Sequence, residues 1–136
     1  MPVSPRFFFD ENLLPVGTAL SAVRDDVVFP GHVELPAVPK GAKDIEWLPV
    51  VGKAGLDLVV ITQDKNIRKK PGELSLLKDH GVRMFVLAPK RDLGRWDKLA
   101  MVVKFWDRLE KTISRSGNGP WVFTITEAKI TLIPFP

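Results

Sequence analysis

No cysteine occurs among the 136 residues. Its absence excludes a disulfide framework, a thiolate metal site and a thiol nucleophile, and it suits a reducing cytoplasm. Histidine is nearly as scarce. His32 and His80 are too few and too scattered for a histidine-based site, and each reads as structural. No apolar run approaches the roughly 18 residues that would span a bilayer, so no membrane association is expected. Met1 to Arg6 has no long apolar stretch ahead of the first acids, unlike a secretory signal. There is no Gly-x-Ser-x-Gly elbow and no Gly-rich phosphate loop, which leaves serine-nucleophile chemistry and nucleotide cofactors without support. Internal repeats and low-complexity segments are also missing.

What is present begins with two apolar runs that each end in acid. Phe7-Phe8-Phe9 leads into Asp10-Glu11-Asn12, and Leu58-Val59-Val60-Ile61-Thr62-Gln63 leads into Asp64-Lys65-Asn66. A short run that is apolar on both faces reads as a central strand of a covered parallel sheet. Ligands of open α/β sheets bind beyond the carboxyl ends of such strands, which is where Asp10 and Asp64 would meet. Carboxylates brought together repel unless a cation sits between them.

The rest of the chain alternates strand and helix, as one domain over residues 1–136, with 45% hydrophobic and 26% charged residues. The pattern predicts strands over Arg6–Asp10, Asp26–Phe29, Leu56–Thr62 and Val82–Ala88. Helices are expected over Leu13–Val23, Asp44–Ala54, Pro71–His80 and Leu93–Ser114. Asn12 is the expected cap of the first helix and Asp44 of the second, Gly55 stops the second, and Gly81 ends the third. Three prolines and two glycines within Pro30–Lys43 make that stretch a long loop. Trp121, Phe123 and Ile125, then Ile130 and Leu132, predict a C-terminal strand pair. The fold class is α/β, a three-layer α/β/α sandwich around a mainly parallel sheet.

Because strand residues alternate faces, Asp10 and Glu11 cannot both enter one site, and Asp10 ranks first. Asp44 and Glu46 open a helix whose N-terminus faces the same sheet edge; each is either a helix-start residue or a ligand. Thr62 can orient a carboxylate or a metal-bound water. Trp47 can pack in the core or stack on a base, and core packing is the simpler reading. The net charge is +4 and the pI about 9.5. The basic residues fall after the strands, at Lys65, Arg68, Lys69 and Lys70 and again at Lys90, Arg91 and Arg95. An acidic pocket in a basic surround suits cleavage of a polyanion.

Phe9-Asp10-Glu11-Asn12-Leu13, Asp44 opening a helix, and Val60-Ile61-Thr62-Gln63-Asp64-Lys65 together resemble the PIN-like domains. The likeness is to the branch whose first strand ends in Asp-Glu-Asn-Leu-Pro; here Leu14 intervenes before Pro15. The resemblance covers a core of about 6–112, with a β extension over about 120–134. It implies a metal-dependent endoribonuclease, the toxin of a type II toxin–antitoxin pair. Asp10, Asp44, Glu46 and Asp64 would hold Mg²⁺ or Mn²⁺, with Asp10, Glu46 and Asp64 catalytic. Lys65, Arg68, Lys69 and Lys70 would hold RNA. Glu11, Thr62, Asn66 and Glu73 would stand behind the ligands. Many PIN domains carry a fourth acid shortly after the third-strand Asp; here Asn66 and Arg68 occupy those places and Glu73 comes later. The implied partners are an RNA substrate and a cognate antitoxin, and a homodimer is compatible with both. Two rivals share the pattern: a PIN-like domain that binds RNA or protein without cutting, and a phosphoacceptor receiver domain with Asp64 as acceptor. The basic pI and the acids at 44 and 46 argue against the receiver.

Overall fold

The computed structural model describes residues 6–53 and 58–134, without the side chain of Arg68. The expected stop at Gly55 and the strand start at Leu56 and Asp57 lie outside the described residues. Six strands form one sheet: β1 (Phe7–Phe9), β2 (Val27–Val28), β3 (Val59–Thr62), β4 (Arg83–Leu87), β5 (Trp121–Ile125) and β6 (Ile130–Ile133). Their spatial order is β2-β1-β3-β4-β5-β6. The first five are parallel and β6 returns antiparallel to β5. The helices among the described residues are α1 (Leu14–Ser21), α2 (Asp44–Val51), α3 (Pro71–Asp79) and α4 (Arg95–Ser116).

The sandwich follows from strand alternation. Phe7 and Phe9 point to one face, where they pack with Leu13, Val16 and Leu20 of the α1 region and with Val102, Phe105 and Trp106 of α4. Phe8 points to the other and packs with Trp47 and Leu48 of α2 and Leu77 of α3. Both faces of β1 and β3 are thereby dry, which is why their sequences are apolar throughout. Gly17 lets α1 press onto β1, since a Cβ there would lie 2.8 Å from the Cβ of Phe9. Strand order reverses between β1 and β3, because β2 lies on one side of β1 and β3 on the other. That gap is the topological switch point, and the carboxyl ends of β1 and β3 open into it.

Several local expectations change. Asn12 is not a cap. Asp10 caps a 3-10 turn over Glu11–Leu13 by accepting the Glu11 N–H at 2.6 Å, and α1 starts at Leu14 with Pro15 in its first turn. Asp44 is the first residue of α2 and not its cap; the chain enters that helix through Lys43. Helix α2 runs through Pro49 and closes at Gly52, three residues before the expected stop. A side chain at 52 would collide with the carbonyl of His80, so the helix ends where it passes the end of α3. The Pro30–Lys43 stretch is turn-rich but fastened: Leu35 and Val38 are buried, and Gly31 N–H donates to the Val38 carbonyl at 2.8 Å. The C-terminal strands extend the main sheet, because β5 pairs in parallel register with β4 from Arg83↔Trp121 to Leu87↔Ile125.

Candidate functional site

Asp10 is the one buried acid among the described residues, 6% exposed at the end of β1. Its backbone N–H donates to the Ile61 carbonyl, which locks the end of β1 against β3. One carboxylate oxygen accepts the Glu11 N–H. The other accepts the Thr62 hydroxyl at 2.8 Å. Thr62, fully buried on β3, is a hub. Its oxygen also accepts from the Asn12 side-chain amide at 3.2 Å and from the Asp64 N–H at 3.1 Å. Asn12 completes the brace by accepting the Gln63 N–H at 3.3 Å. The chain after β1 is thus tied to the chain after β3 by side chains whose identity the Asp-Glu-Asn and Thr-Gln-Asp triplets supply.

Burial pushes the Asp10 carboxyl above its ordinary range. The Thr62 hydrogen bond opposes the shift, and the charges of Asp44 and Asp64 add to it. Asp44 is raised as well, first by burial and next by Asp64, with Lys70 opposing. Each acid lies within electrostatic reach of the others, although they come from β1, α2 and the turn after β3. Asp44 is held by Trp47, whose indole N–H donates to it at 3.1 Å. Trp47 is itself core, its ring 4.9 Å from that of Phe8. The core reading of Trp47 holds, and the same ring aims a carboxylate.

Asp64 accepts the Asn66 N–H at 3.0 Å and the Lys70 ammonium at 3.2 Å. Lys70 is raised by that hydrogen bond first, then by the charges of Asp64, Asp44 and Glu73. The position expected to grip RNA therefore serves here as the counter-ion of the acids. Glu73, in the first turn of α3, contributes its charge to both Asp44 and Lys70 and so stands at the same edge.

Other expected site residues have different neighbours. The Glu46 carboxylate folds back onto the N–H of Lys43 at 2.8 Å. It is the side-chain arm of a capping box; the reciprocal bond runs from Glu46 N–H to the Lys43 carbonyl, because lysine has no acceptor. Glu11 accepts the Gly41 N–H and so fastens the Pro-rich loop. Lys65 and Lys69 are exposed, and the Arg68 side chain lies outside the described residues. His32 accepts the Glu34 N–H and meets Phe29 edge-on, a structural role as expected. Residue patterning missed three things: the Lys70 counter-ion, the Trp47 tether and the Asn12 brace. Only the tether had a local signal, an Asp and a Trp three apart on one helix face.

The donors are carboxylate oxygens, the type that a hard divalent cation takes, and an ammonium already sits among them. Among the described residues, no three Asp, Glu or His side chains converge closely enough to hold an ion in this arrangement. Both oxygens of Asp10 and of Asp64 are engaged by protein donors. Oxygen donors of this kind suit a hard divalent cation, and the Lys70 ammonium at Asp64 is the positive charge that such an ion would replace. None of the described helices is long and apolar enough to cross a membrane.

Comparison with curated proteins and with solved structures returns no match. A protein-family model, described as PIN like domain, matches residues 5–89. The matched span runs from the approach to β1 through β4 and includes Asp10, Asp44, Thr62, Asp64, Lys70 and Glu73. The mostly parallel α/β sheet is consistent with the family match, which covers more than half of the chain, and this chain belongs to the PIN-like domain family.

Proposed function

We propose that the protein is a metal-dependent endoribonuclease whose working carboxylates are Asp10, Asp44 and Asp64, with Glu73 as a fourth acid at the rim. The observation that carries this reading is the buried Asp10, held above its ordinary ionisation range while two further acids face it at the switch point. A fold retains repelling carboxylates at cost, and sites of function are where such groups collect. Mg²⁺ or Mn²⁺ held by these acids would supply a charge against the scissile phosphate and an activated water. The protein supplies the rest. Thr62 fixes the rotamer of Asp10, Trp47 fixes Asp44, and Lys70, once freed from Asp64, is placed to hold a phosphate. Glu46 and Glu11 are left out of this set because the charge of neither contributes to the raised ionisation of Asp10 or Asp44, whereas Asp64 contributes to both. The test is cleavage of a mixed-sequence RNA with Mg²⁺ and with chelator. Asp10→Asn and Asp64→Asn should each remove the Mg²⁺-dependent activity while near-UV circular dichroism stays unchanged. Wild-type rates in either variant would overturn the assignment.

The cellular role we propose is that of a cytoplasmic toxin restrained by an antitoxin. An antitoxin Arg or Lys entering between Asp10 and Asp64 would copy what Lys70 does internally. Expression of the wild-type chain should slow bacterial growth, and Asp64→Asn at matched soluble levels should not; equal growth would count against the toxin role. The Lys70–Asp64 pair also favours a second reading, a PIN-like domain that binds RNA without cutting it. RNA affinity that is intact in chelator, with no cleavage in Mg²⁺ or Mn²⁺, would select that reading.

A further inference from the structure

The two outer strands of the sheet are finished differently. At one edge, β2 is only Val27–Val28, both buried. Just before it, the carboxylate of Asp26 holds the Arg24 guanidinium through two bonds of 2.8 Å. A short edge flanked by charge gives another chain little to pair with. At the other edge, beyond the family-matched span, β6 reads Ile130-Thr131-Leu132-Ile133. It carries no charge, and Leu132 is 59% exposed. The turn leading into β6 is braced against the body. The Lys90 N–H donates to both carboxylate oxygens of Glu127, each at 3.0 Å, and the Thr126 N–H donates to the Lys129 carbonyl at 3.0 Å.

Register decides which backbone groups β6 turns outward. The Thr126–Lys129 bond makes those two a hydrogen-bonded pair, and such pairs alternate along an antiparallel ladder. Thr124↔Thr131 and Val122↔Ile133 are therefore hydrogen-bonded as well, and Ile130 and Leu132 direct both N–H and C=O away from β5. The far side of β5 agrees: its Ile125 carbonyl accepts the Ala88 N–H, and its Trp121 N–H donates to the Val82 carbonyl. Beside the outward row, a groove of about 410 Å³ runs between the end of α4 and β6, past Ser116, Asn118, Trp121, Phe123, Leu132 and Ile133. Among the described residues, no charged side chain lines it. With a net charge of +4 and 26% charged residues, the chain repels its own copy over much of its surface. This neutral strip is where that repulsion is least.

We propose that β6 is a self-association edge, where a second copy of this chain adds its own β6 in antiparallel register with Thr131 facing Thr131 across a two-fold axis. The outward groups of Ile130 then meet those of Leu132 in the second copy, and the reverse, so the strand is its own complement. Each copy uses the same patch, and no outward group of these two residues is left to recruit a third chain. Ile130 of the second copy meets Leu132 at the mouth of the groove, apolar against apolar. A four-residue strand and the groove beside it cover less than the roughly 800 Å² per partner of a standard stable interface, so the dimer is weak and concentration-dependent. Antiparallel pairing reverses the strand direction of the second copy, so the two acidic edges face opposite ways and both stay open. The proposal is independent of the nuclease reading.

Sedimentation velocity of the full chain in EDTA, between roughly 1 and 200 μM, tests the association in the range expected of a micromolar complex. The wild type should shift from monomer to dimer with concentration and stop there. Leu132→Lys, which puts a cation at the centre of the contact, should weaken dimerisation at least tenfold with an unchanged melting temperature. The absence of cysteine allows a second test that needs no loss of folding. In the proposed register Thr131 faces its own copy as a non-hydrogen-bonded pair, with Cα atoms about 4.5 Å apart, within disulfide reach. Thr131→Cys should therefore crosslink under mild oxidation. Lys129→Cys should crosslink at least tenfold more slowly, because its copy lies four residues along the strand, roughly 13 Å away. A chain that stays monomeric throughout, a dimer that Leu132→Lys leaves intact, or equal crosslinking at 129 and 131 would each overturn the proposal.

Discussion

At the scale of single residues, the balance at the switch point is set by which group neutralises which acid. Asp10 has a raised ionisation because it is buried and faces two like charges. A carboxyl whose folded value exceeds its unfolded one binds its proton more tightly when folded. Its ionisation therefore removes stability as pH rises from about 3.8, the model-compound value, through the folded value. Asp10→Asn should raise the melting temperature at pH 7 in EDTA, by roughly 3–5 °C for each kcal/mol of repulsion removed, and the gain should vanish below the model-compound value. Thermal scans of both forms from pH 3 to 7 check this; a gain that persists undiminished at low pH would mean that charge is not its source. Lys70 competes for the place of a bound cation. Lys70→Met should strengthen Mn²⁺ binding several-fold, measured by electron paramagnetic resonance of free Mn²⁺. An unchanged or weaker affinity would show that the ammonium does not compete with the ion.

At the scale of elements, helix α2 separates two acids that look equivalent in sequence. Asp44 and Glu46 both stand in its first turn, but the indole of Trp47 turns Asp44 toward the acids while Glu46 closes onto Lys43. Asp44→Asn should cut cleavage at least tenfold with little change in stability, because the amide oxygen still accepts from Trp47. Glu46→Ala should cost about 1 kcal/mol, as loss of a helix-start hydrogen bond does, with the rate retained. Urea melts beside cleavage rates distinguish the pair, and a rate loss in Glu46→Ala larger than its stability loss explains would return Glu46 to the site. The strand beneath matters to both. Phe8→Ala should destabilise by about 3–5 kcal/mol, since it empties the position that Trp47 packs on, and should lower activity through Asp44 as well.

At the scale of the whole molecule, ion binding should couple to folding. A ligand that binds only the folded chain raises its melting temperature with concentration. Added Mg²⁺ should therefore stabilise the wild type and leave Asp10→Asn unmoved, as seen by differential scanning fluorimetry. Equal stabilisation of both would place the ion elsewhere.

Much of this organisation is legible in the residues alone. The all-apolar Phe7–Phe9 and Val59–Ile61 runs specify strands covered on both faces, because period-two alternation puts successive side chains on opposite sides. Strand and helix in alternation specify parallel pairing, and parallel pairing places Asp10 and Asp64 at one edge. The resemblance to PIN-like domains is matched by the family assignment over residues 5–89. Local backbone chemistry was less legible. Asn12 looks like a cap, and its role as a brace to Thr62 exists only because β1 and β3 are neighbours. The end of α2 at Gly52 is set by its close approach to His80, a residue far along the chain. What only the tertiary structure decided is the partner of each charge. Sequence fixes how many carboxylates and ammonium groups reach an edge, but Coulomb and hydrogen-bond energies fall off over a few ångströms. So the choice of Lys70 for Asp64, of Trp47 for Asp44 and of Glu127 for the Lys90 backbone had to wait for the fold that brings them together.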